Sequence, residues 1–305
     1  MRLWKRLSNY LFNPDYRFIH NASLGLYNSM EDEKYIKRLF KAKMGYPLDL
    51  NNPKTFNEKL QWLKLHDRND IYTTMVDKYA AKQYVSSIIG EKYIIPTLGV
   101  WEKFEDIDFS VLPDQFVLKT THDSGGVVIC KDKSRFDFKE AQEKINSSLK
   151  SNFYYQFREW PYKNVKPRII AEEYMEDEST HELRDYKFFT FGGVPKALFI
   201  ATERNSCAET KFDFFDADYN HLPITNGHPN ADVMPSKPQK FEEMKMLAAK
   251  LSQNIPQLRV DFYEANGRVY FGELTFAHWG GFVPFEPKEW DKIFGEWILL
   301  PKPIK

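Results

Sequence analysis

The stretch LRVDFYEANGRVYFGELTF, residues 258–276, decides the fold because it predicts two strands joined by a tight turn. Apolar residues alternate with polar ones in LRVDFY, which is typical of a strand with one face in the core and the other on a cleft or in solvent. The Asn266-Gly267 pair indicates a hairpin turn. Each predicted strand carries one acid of interest, Asp261 on the first and Glu273 on the second.

The relative position of these two acids depends on the turn. A strict two-residue turn pairs Asp261 with Gly272 and leaves Glu273 on the opposite face, whereas an odd-length loop or one bulge pairs Asp261 with Glu273. Two carboxylates directly opposite each other repel unless a cation lies between them. A pair of acids beside phosphates is how Mg²⁺ is usually held. Both interpretations, a metal site and two ordinary exposed acids, stay open on these residues alone.

A second candidate site lies in FVLKTTHDSGGVVIC, residues 116–130. An apolar strand ends at Lys119, a loop with Ser124, Gly125 and Gly126 follows, and another apolar strand begins. Adjacent glycines let backbone N–H groups approach phosphate oxygens, and a lysine supplies a point charge. The spacing of a Walker A loop is absent. The pattern predicts a phosphate-covering flap on a hairpin, and the alternative is a plain Gly-Gly turn.

A third candidate is IIAEEYMEDE, residues 169–178, in which an apolar strand enters Glu172, Glu173 and Tyr174. Adenine is commonly held by strand backbone where two lobes meet, with a carboxylate near the ribose. The alternative interpretation is a strand that enters an acidic loop.

Three cations complete the candidate set: Lys187 within Asp185-Tyr186-Lys187, Arg204 after the next predicted strand, and Arg259. Together they could surround a triphosphate, although each alone is more often a surface charge.

The remaining pattern predicts an α+β protein with mostly antiparallel strands after an N-terminal helical segment. Helical periodicity runs through residues 34–44, 56–66 and 75–85, and again from Phe241 to Leu251. Thr55 followed by Glu58 indicates a capping box at the start of the second of these helices. Gly192-Gly193 predicts a hairpin turn.

Composition excludes several classes of protein. Lysine plus arginine and aspartate plus glutamate both number 43, so the zero formal net charge argues against a general nucleic-acid binder. No apolar run is long enough to span a bilayer, and no signal peptide is indicated. The two cysteines, Cys130 and Cys207, lack metal-binding spacing and favour a reducing cytoplasm. Residues 2–12 predict a basic amphipathic helix, which packs on its own domain or contacts the inner face of a membrane.

The candidate motifs follow one another along the chain as a strand with a lysine, a glycine loop, Glu-Glu-Tyr, Asp-Tyr-Lys and a final hairpin. This order resembles the ATP-grasp superfamily, and within it the TupA-like branch named for teichuronopeptide synthesis. The segments that carry the resemblance are GYPLDLNNPKTFNEKLQWLKLHDRN, PDQFVLKTTHDSGGVVICKD, REWPYKNVKPRIIAEEYMEDE, DYKFFTFGG and RVDFYEANGRVYFGELTF. The resemblance implies two lobes whose mostly antiparallel sheets grip ATP. It divides the chain into a helical segment (1–76), an N-lobe with the glycine flap (77–173) and a C-lobe with the Mg²⁺-binding hairpin (174–305).

The resemblance also implies a role for each matched residue. Lys119 holds ATP phosphates under the flap formed by Ser124, Gly125 and Gly126. The adenine and ribose side comprises Glu172, Glu173, Tyr174, Glu176 and Asp177. The terminal phosphates and the transferring group are contacted by Lys187, Arg204 and Arg259. Mg²⁺, with Mn²⁺ as an alternative, is held by Asp261, Glu273 and Thr275. The family commonly has Asn where this chain has Thr275, and many relatives carry a Rossmann-like domain where this chain has helices.

The activity implied is ATP-dependent ligation of a carboxylate to an amine through an acyl phosphate. By analogy with the branch, the carboxylate is a hexuronic acid of a bacterial surface polysaccharide or its precursor, and the amine is an amino acid or amino alcohol. The alternatives are a kinase that uses the same ATP site and a glycosyltransferase-like polysaccharide-assembly protein without ATP chemistry. The expected location is cytoplasmic, or peripheral at the inner membrane face. The sequence fixes neither the substrates nor the oligomeric state.

Overall fold

The computed structural model describes residues 2–178, 183–203 and 209–302. The helices are α1 (Arg2–Phe12), α2 (Pro14–Ser23), α3 (Asp32–Met44), α4 (Phe56–His66), α5 (Ile71–Val76), α6 (Ala80–Ile89), α7 (Phe138–Leu149), α8 (Tyr154–Phe157), α9 (Phe241–Leu251) and α10 (Glu289–Trp297). The strands are β1 (Thr97–Trp101), β2 (Phe116–Thr120), β3 (Val127–Cys130), β4 (Ile169–Glu173), β5 (Asp185–Phe191), β6 (Val194–Thr202), β7 (Lys211–Asp216), β8 (His221–Leu222), β9 (Leu258–Ala265) and β10 (Arg268–Thr275).

The strands form two antiparallel sheets. The first sheet has the order β1-β4-β2-β3, and the second has the order β10-β9-β5-β6-β7-β8. Helix α7 packs on the first sheet, where Ala141 and Ile145 join a core built on Phe116 and Leu118. Both faces of the second sheet are covered. Helices α5, α6 and α9 pack on one face, and α4 and α10 pack on the other.

Most of the predicted local elements are present. The Gly192-Gly193 turn joins β5 to β6, with both glycines at positive φ. Helix α4 opens with the predicted capping box, in which Thr55 Oγ1 accepts from the Glu58 N–H and the Glu58 carboxylate accepts from the Thr55 N–H. Helix α9 spans the predicted residues.

The prediction of one helix through residues 75–85 is wrong. The chain leaves helical geometry at Asp77, between α5 and α6. The Asp77 side chain accepts hydrogen bonds from the N–H groups of Tyr79 and Ala80, and its other oxygen pairs with Arg168. An aspartate that satisfies free N–H groups starts a new helix more favourably than it continues an old one.

Helix α1 keeps much of its apolar surface exposed, although it contacts α2. Trp4, Leu7, Leu11 and Phe12 are all more than half exposed. Among the described residues, no helix is long and apolar enough to cross a membrane.

Candidate active site

The β9–β10 hairpin contains the bulge that brings the two acids together. The turn at Asn266-Gly267 is a two-residue turn, and pairing is regular as far as Phe271 opposite Phe262. The register then shifts at Gly272, so that Glu273 lies opposite Asp261. A Cβ atom at Gly272 would approach the Asp261 carbonyl oxygen to 3.1 Å, which suits glycine at the bulge. The two carboxylates therefore share one face of the sheet.

The side chain of Arg259 lies between these carboxylates. Its guanidinium donates to both oxygens of Asp261, at 2.7 and 2.8 Å, and to Glu273 Oε1 at 2.7 Å. It also donates to Thr275 Oγ1 at 3.0 Å, and Thr275 in turn donates to Glu273. Burial raises the pKa of Glu273, but Lys187 and Arg259 lower it more, so that the pKa is about 2. Arg259 thus occupies the position between two acids that a cation must fill.

Lys187 is the second cation of this cluster. Strand β5 lies beside β9 and pairs Lys187 with Asp261. The Lys187 ammonium donates to the Asp261 carboxylate and lies 3.3 Å from Asp185 Oδ1. The predicted Lys187 and Arg259 therefore meet the predicted metal ligands directly. Arg204 lies outside the described residues.

His278, which follows β10, holds Arg259 from the other side. Because arginine only donates, the contact of 2.9 Å from Arg259 Nη1 requires His278 Nδ1 to accept. The proton is then on Nε2, which donates to Asn226 Oδ1 at 2.8 Å. Burial, Arg259 and Lys187 all lower the pKa of His278 well below its ordinary value. The neutral imidazole therefore orients the guanidinium.

Helix α4 holds the loop that carries His278. Gln61 Nε2 donates to the carbonyl oxygens of Gly280 and Gly281, and Lys64 donates to Gly280. A Cβ atom at Gly281 would lie 2.4 Å from Gln61 Nε2. The N-terminal helical segment thus supports the cluster around Arg259.

A complementary charged cluster lies on the first sheet. The Glu172 carboxylate on β4 pairs with Lys82 of α6 and with Lys119 of β2, both at 2.5 Å. Burial raises the pKa of Glu172, but Lys119 and Lys82 lower it below the ordinary value. Lys78, just before α6, donates to the carbonyl oxygens of Thr120 and Asp123 in the glycine loop.

A cavity of about 20 Å³ separates these residues from the hairpin, and Phe271 and Gly272 form its opposite wall. Ligand pockets usually measure about 300–1,000 Å³, so a nucleotide requires the cleft to widen. A larger groove of about 600 Å³ lies beside β3 and α7 and shares no lining residue with either cluster.

The glycine loop between β2 and β3 is shaped by Asp123. Its carboxylate accepts from the hydroxyl groups of Thr120 and Ser148 and from the Gly126 N–H. Gly126 fits tightly, because a Cβ atom there would lie 1.9 Å from Thr120 Oγ1 and 2.4 Å from Ser148 Oγ. Gly125 and Ser124 are exposed. The loop therefore has a fixed base and an exposed tip.

The segment after β4 contacts the turn of the β9–β10 hairpin. Asp177 Oδ2 accepts from the Asn266 N–H at 2.8 Å, and Asn266 Oδ1 accepts from the Glu178 N–H at 3.0 Å. Tyr174 donates its hydroxyl to Glu176. The adenine and ribose roles of this segment, and of the exposed Glu173, stay predictions. Glu172 differs from the others, because its side chain points to two lysines inside the sheet rather than to the hinge.

Sequence reasoning missed Lys78, Lys82, Asn226 and His278. The lysines follow the break at Asp77, and the aspartate was the available signal for that break. The donor set of two carboxylates and the Thr275 hydroxyl suits Mg²⁺. No group of three or more His, Cys, Asp or Glu side chains placed to hold a metal ion occurs in residues 2–178, 183–203 and 209–302.

Comparison with known families identifies the fold. The chain matches the family model described as TupA-like ATPgrasp over residues 58–299, which is more than half of its length. It belongs to the TupA-like ATP-grasp family. Membership confirms the α+β ATP-grasp fold and the enzyme class, an ATP-dependent ligase, that the sequence predicts.

Solved structures show more distant similarity to this TupA-like ATP-grasp protein. D-alanine–D-alanine ligase from Helicobacter pylori is 13% identical, with a TM-score of 0.44, over 82% of this chain and 70% of that one. The ligase of the same name from Bacillus anthracis, complexed with ATP, is 16% identical, with a TM-score of 0.38, over 74% and 60%. The ATP-grasp ligase PsnB, complexed with minimal precursor, Mg and ADP, is 8% identical, with a TM-score of 0.38, over 72% and 57%. No curated protein sequence matches the chain.

Proposed function

We propose that this TupA-like ATP-grasp protein joins a carboxylate to an amine through an acyl phosphate, with ATP as the phosphoryl donor. The observation that carries the proposal is the pair of facing clusters. Glu172 lies between Lys82 and Lys119 on one side of the cleft, and Arg259 lies between Asp261 and Glu273 on the other. Phosphoryl transfer needs mainly positioning and charge neutralisation, and these clusters supply both.

In the first step, a substrate carboxylate oxygen attacks the γ-phosphorus of ATP, and the bond to the ADP oxygen breaks. Lys119 and Lys82 neutralise the phosphates, while Arg259 stabilises the transferring group. Asp261 and Glu273, with Thr275 beside them, would hold Mg²⁺, which neutralises phosphate charge when bound. In the second step, the amine nitrogen attacks the acyl carbon, loses one proton and expels phosphate. No protein nucleophile is required.

The glycine loop protects the acyl phosphate from water. Its base is fixed by Asp123, and its tip at Ser124 and Gly125 is exposed. A loop of this kind can close over a bound nucleotide and exclude water from a reactive intermediate.

The proposed substrates follow the family branch. The carboxylate is a hexuronic acid of a surface polysaccharide or its precursor, and the amine is an amino acid or amino alcohol. This part rests on analogy rather than on site geometry.

The proposal is tested by measuring ADP and free phosphate with D-glucuronate or D-galacturonate, with and without ethanolamine or L-alanine. A ligase releases both products and forms amide only when the carboxylate and the amine are both present. A kinase releases ADP without free phosphate, and a protein without ATP chemistry releases neither. Chelation of divalent metal with EDTA should abolish the reaction, and full activity in EDTA would contradict the metal assignment.

We also propose a cytoplasmic protein that contacts the inner membrane face through α1. The exposed Trp4, Leu7, Leu11 and Phe12 supply an apolar surface, and Arg2, Lys5 and Arg6 supply basic charge in the same segment. Sedimentation with phosphatidylglycerol vesicles should fall when Trp4 and Phe12 are replaced by Ala. Equal sedimentation of the variant would contradict this contact.

A further inference from the structure

A second small cavity lies between α4 and the end of β10. Its volume is about 30 Å³, and it shares no lining residue with the nucleotide-side cavity. Its walls are formed by Leu60, Leu63, Lys64, Asp67, Tyr72, Glu159, Trp160, Pro161, Gln257, Phe276 and Ala277. The cavity therefore has an apolar wall with a few polar groups, which is the composition of a small-molecule site.

Gln257 is the residue of this cavity whose polar group is buried without a partner among the described residues. It is 1% exposed, and both its amide nitrogen and its amide oxygen are buried without a hydrogen-bond partner in the described part of the chain. A buried polar group without a partner costs about 1–3 kcal/mol. An amide with a free donor and a free acceptor that lines a cavity is ready for a polar ligand.

The charge of the cavity favours a cation. Lys64 uses all three of its N–H groups on the Gln61 side chain and on the carbonyl oxygens of Phe157 and Gly280. Its single positive charge is outnumbered by the carboxyls of Glu159 and Asp67, of which Asp67 accepts from Tyr72. Burial raises the pKa of Glu159, and the charges of Lys64 and Arg259 lower it only in part, so that a further cation beside this carboxyl would offset the rest of the cost of burial.

The cavity is close to Arg259, the residue proposed to stabilise the phosphoryl group that is transferred. Gln257 immediately precedes β9 and lies two residues before Arg259 in the chain, so the cavity adjoins the start of the strand that carries Arg259. Glu159 is close enough to Arg259 and Glu273 for their charges to act on it. An amine held here is within reach of an acyl phosphate that Arg259 stabilises.

We infer that this cavity is the subsite for the amine co-substrate, whose ammonium group faces the Glu159 carboxylate and the Gln257 amide. The inference rests on the proposed function and adds to it the residues that select the amine. A cavity of about 30 Å³ takes the ammonium head of a small primary amine. The ligand class is a compact primary amine, such as an amino alcohol or amino acid.

The binding test uses calorimetric titration of the whole chain with ethanolamine, and with ethylene glycol as the uncharged analogue. Wild type should bind ethanolamine and not ethylene glycol. Glu159→Gln should weaken ethanolamine binding about tenfold or more, the scale of a lost hydrogen bond between charged groups. The exposed Glu143→Gln on α7 is the matched control and should bind as wild type does.

Gln257→Met is the second variant, because it replaces an unpartnered amide by an apolar side chain of similar size. It should raise the KM for the amine several-fold, leave the KM for ATP unchanged and not lower the melting temperature. A purely structural glutamine would instead lower the melting temperature and leave the KM for the amine unchanged.

The inference fails if wild type does not bind ethanolamine or L-alanine, or if Glu159→Gln and Gln257→Met both bind the amine as wild type does. These outcomes are distinct from failure of the proposed function, in which wild type releases no ADP with carboxylate and amine. The calorimetric arm needs no turnover and therefore decides the subsite in either case.

Discussion

The two sheets carry opposite versions of the same ionic arrangement. On the first sheet one carboxylate, Glu172, lies between Lys82 and Lys119. On the second sheet one cation, Arg259, lies between Asp261 and Glu273. The first arrangement keeps a surplus positive charge, which suits phosphates, whereas the second groups carboxylate and hydroxyl oxygens, which are the ligands that a hard metal cation takes. The order of charges is therefore the basis for proposing phosphates on one side of the cleft and a metal cation on the other.

The two arrangements also differ in burial. Of the outer charges, Asp261 is 1% and Glu273 42% exposed on the second sheet, whereas Lys82 and Lys119 are 12% and 20% exposed on the first. Charges that remain after a partner is removed are less costly where water can reach them. Replacing Arg259 leaves the fully buried Asp261 among the remaining charges, so it should cost more than replacing Glu172.

The largest effect is expected for Arg259→Leu. It leaves the buried Asp261 opposite Glu273 without the cation between them, and breaking a buried ion pair costs about 3–5 kcal/mol. Urea unfolding should show this loss in the free energy of unfolding. Arg268→Leu, an exposed arginine on the same hairpin, is the control and should change it little. Equal losses in the free energy of unfolding for the two substitutions would contradict the ionic role of Arg259.

The second largest effect is expected for Glu172→Gln. Lys82 and Lys119 then repel each other, but both keep some contact with water, so the loss should be about 2 kcal/mol. Urea unfolding measures it, and exposed Glu173→Gln on the same strand is the control. A loss as large as that of Arg259→Leu would contradict the difference in burial between the sheets.

A smaller effect should distinguish the two adjacent glycines of the glycine loop, Gly125 and Gly126. Gly126→Ala forces its methyl group against Thr120 and Ser148 and should cost about 1–2 kcal/mol of stability. Gly125→Ala has no atom closer than 3.9 Å to the new methyl group and should change stability little. Thermal unfolding of both variants provides the measurement. Equal melting temperatures would show that the base of the loop is not fixed as the structure indicates.

The smallest effect is the pH dependence that the Glu273 carboxylate on the β9–β10 hairpin adds to the free energy of unfolding. Its folded pKa of about 2 lies below the value of about 4.3 expected in the unfolded chain. Its stabilisation is therefore fully present above pH 4.3 and is lost as the pH falls towards 2. The side chain is 42% exposed, so solvent screening should keep the contribution below about 1 kcal/mol.

Acid unfolding of wild type and Glu273→Gln checks this expectation. The difference in their free energies of unfolding should shrink as the pH falls from 5 to 2. A difference that does not depend on pH would mean that Arg259 and Lys187 do not stabilise the Glu273 carboxylate. Exposed Glu143→Gln should show no such dependence.

Local sequence signals predicted most of the fold correctly. The capping box at Thr55, the Gly192-Gly193 turn and the Asn266-Gly267 turn are each specified by residues that lie next to each other in the chain. The helix predicted through residues 75–85 failed for the same local reason, because Asp77 caps a new helix there. That break brings Lys78 and Lys82 to the cleft, where neither was expected.

The candidate site depended on contacts that no local pattern specifies. His278 binds Asn226, which lies 52 residues earlier in the chain, and Gln61 binds Gly281, which lies 220 residues later. Such pairs form only after the sheets and helices have packed. The resemblance to the family supplied the predicted metal and phosphate residues but not these positioning residues.

The sequence by itself determined the antiparallel hairpins, the glycine loop and the family, because these follow from residue alternation, turn chemistry and ordered motifs. It left open whether Asp261 and Glu273 face each other, since one residue of register moves a side chain to the opposite face of the sheet. The tertiary structure decided this through the bulge at Gly272. It also placed Arg259 between the two carboxylates and Gln257 in the cavity beside them, because burial and long-range packing fix where a side chain points.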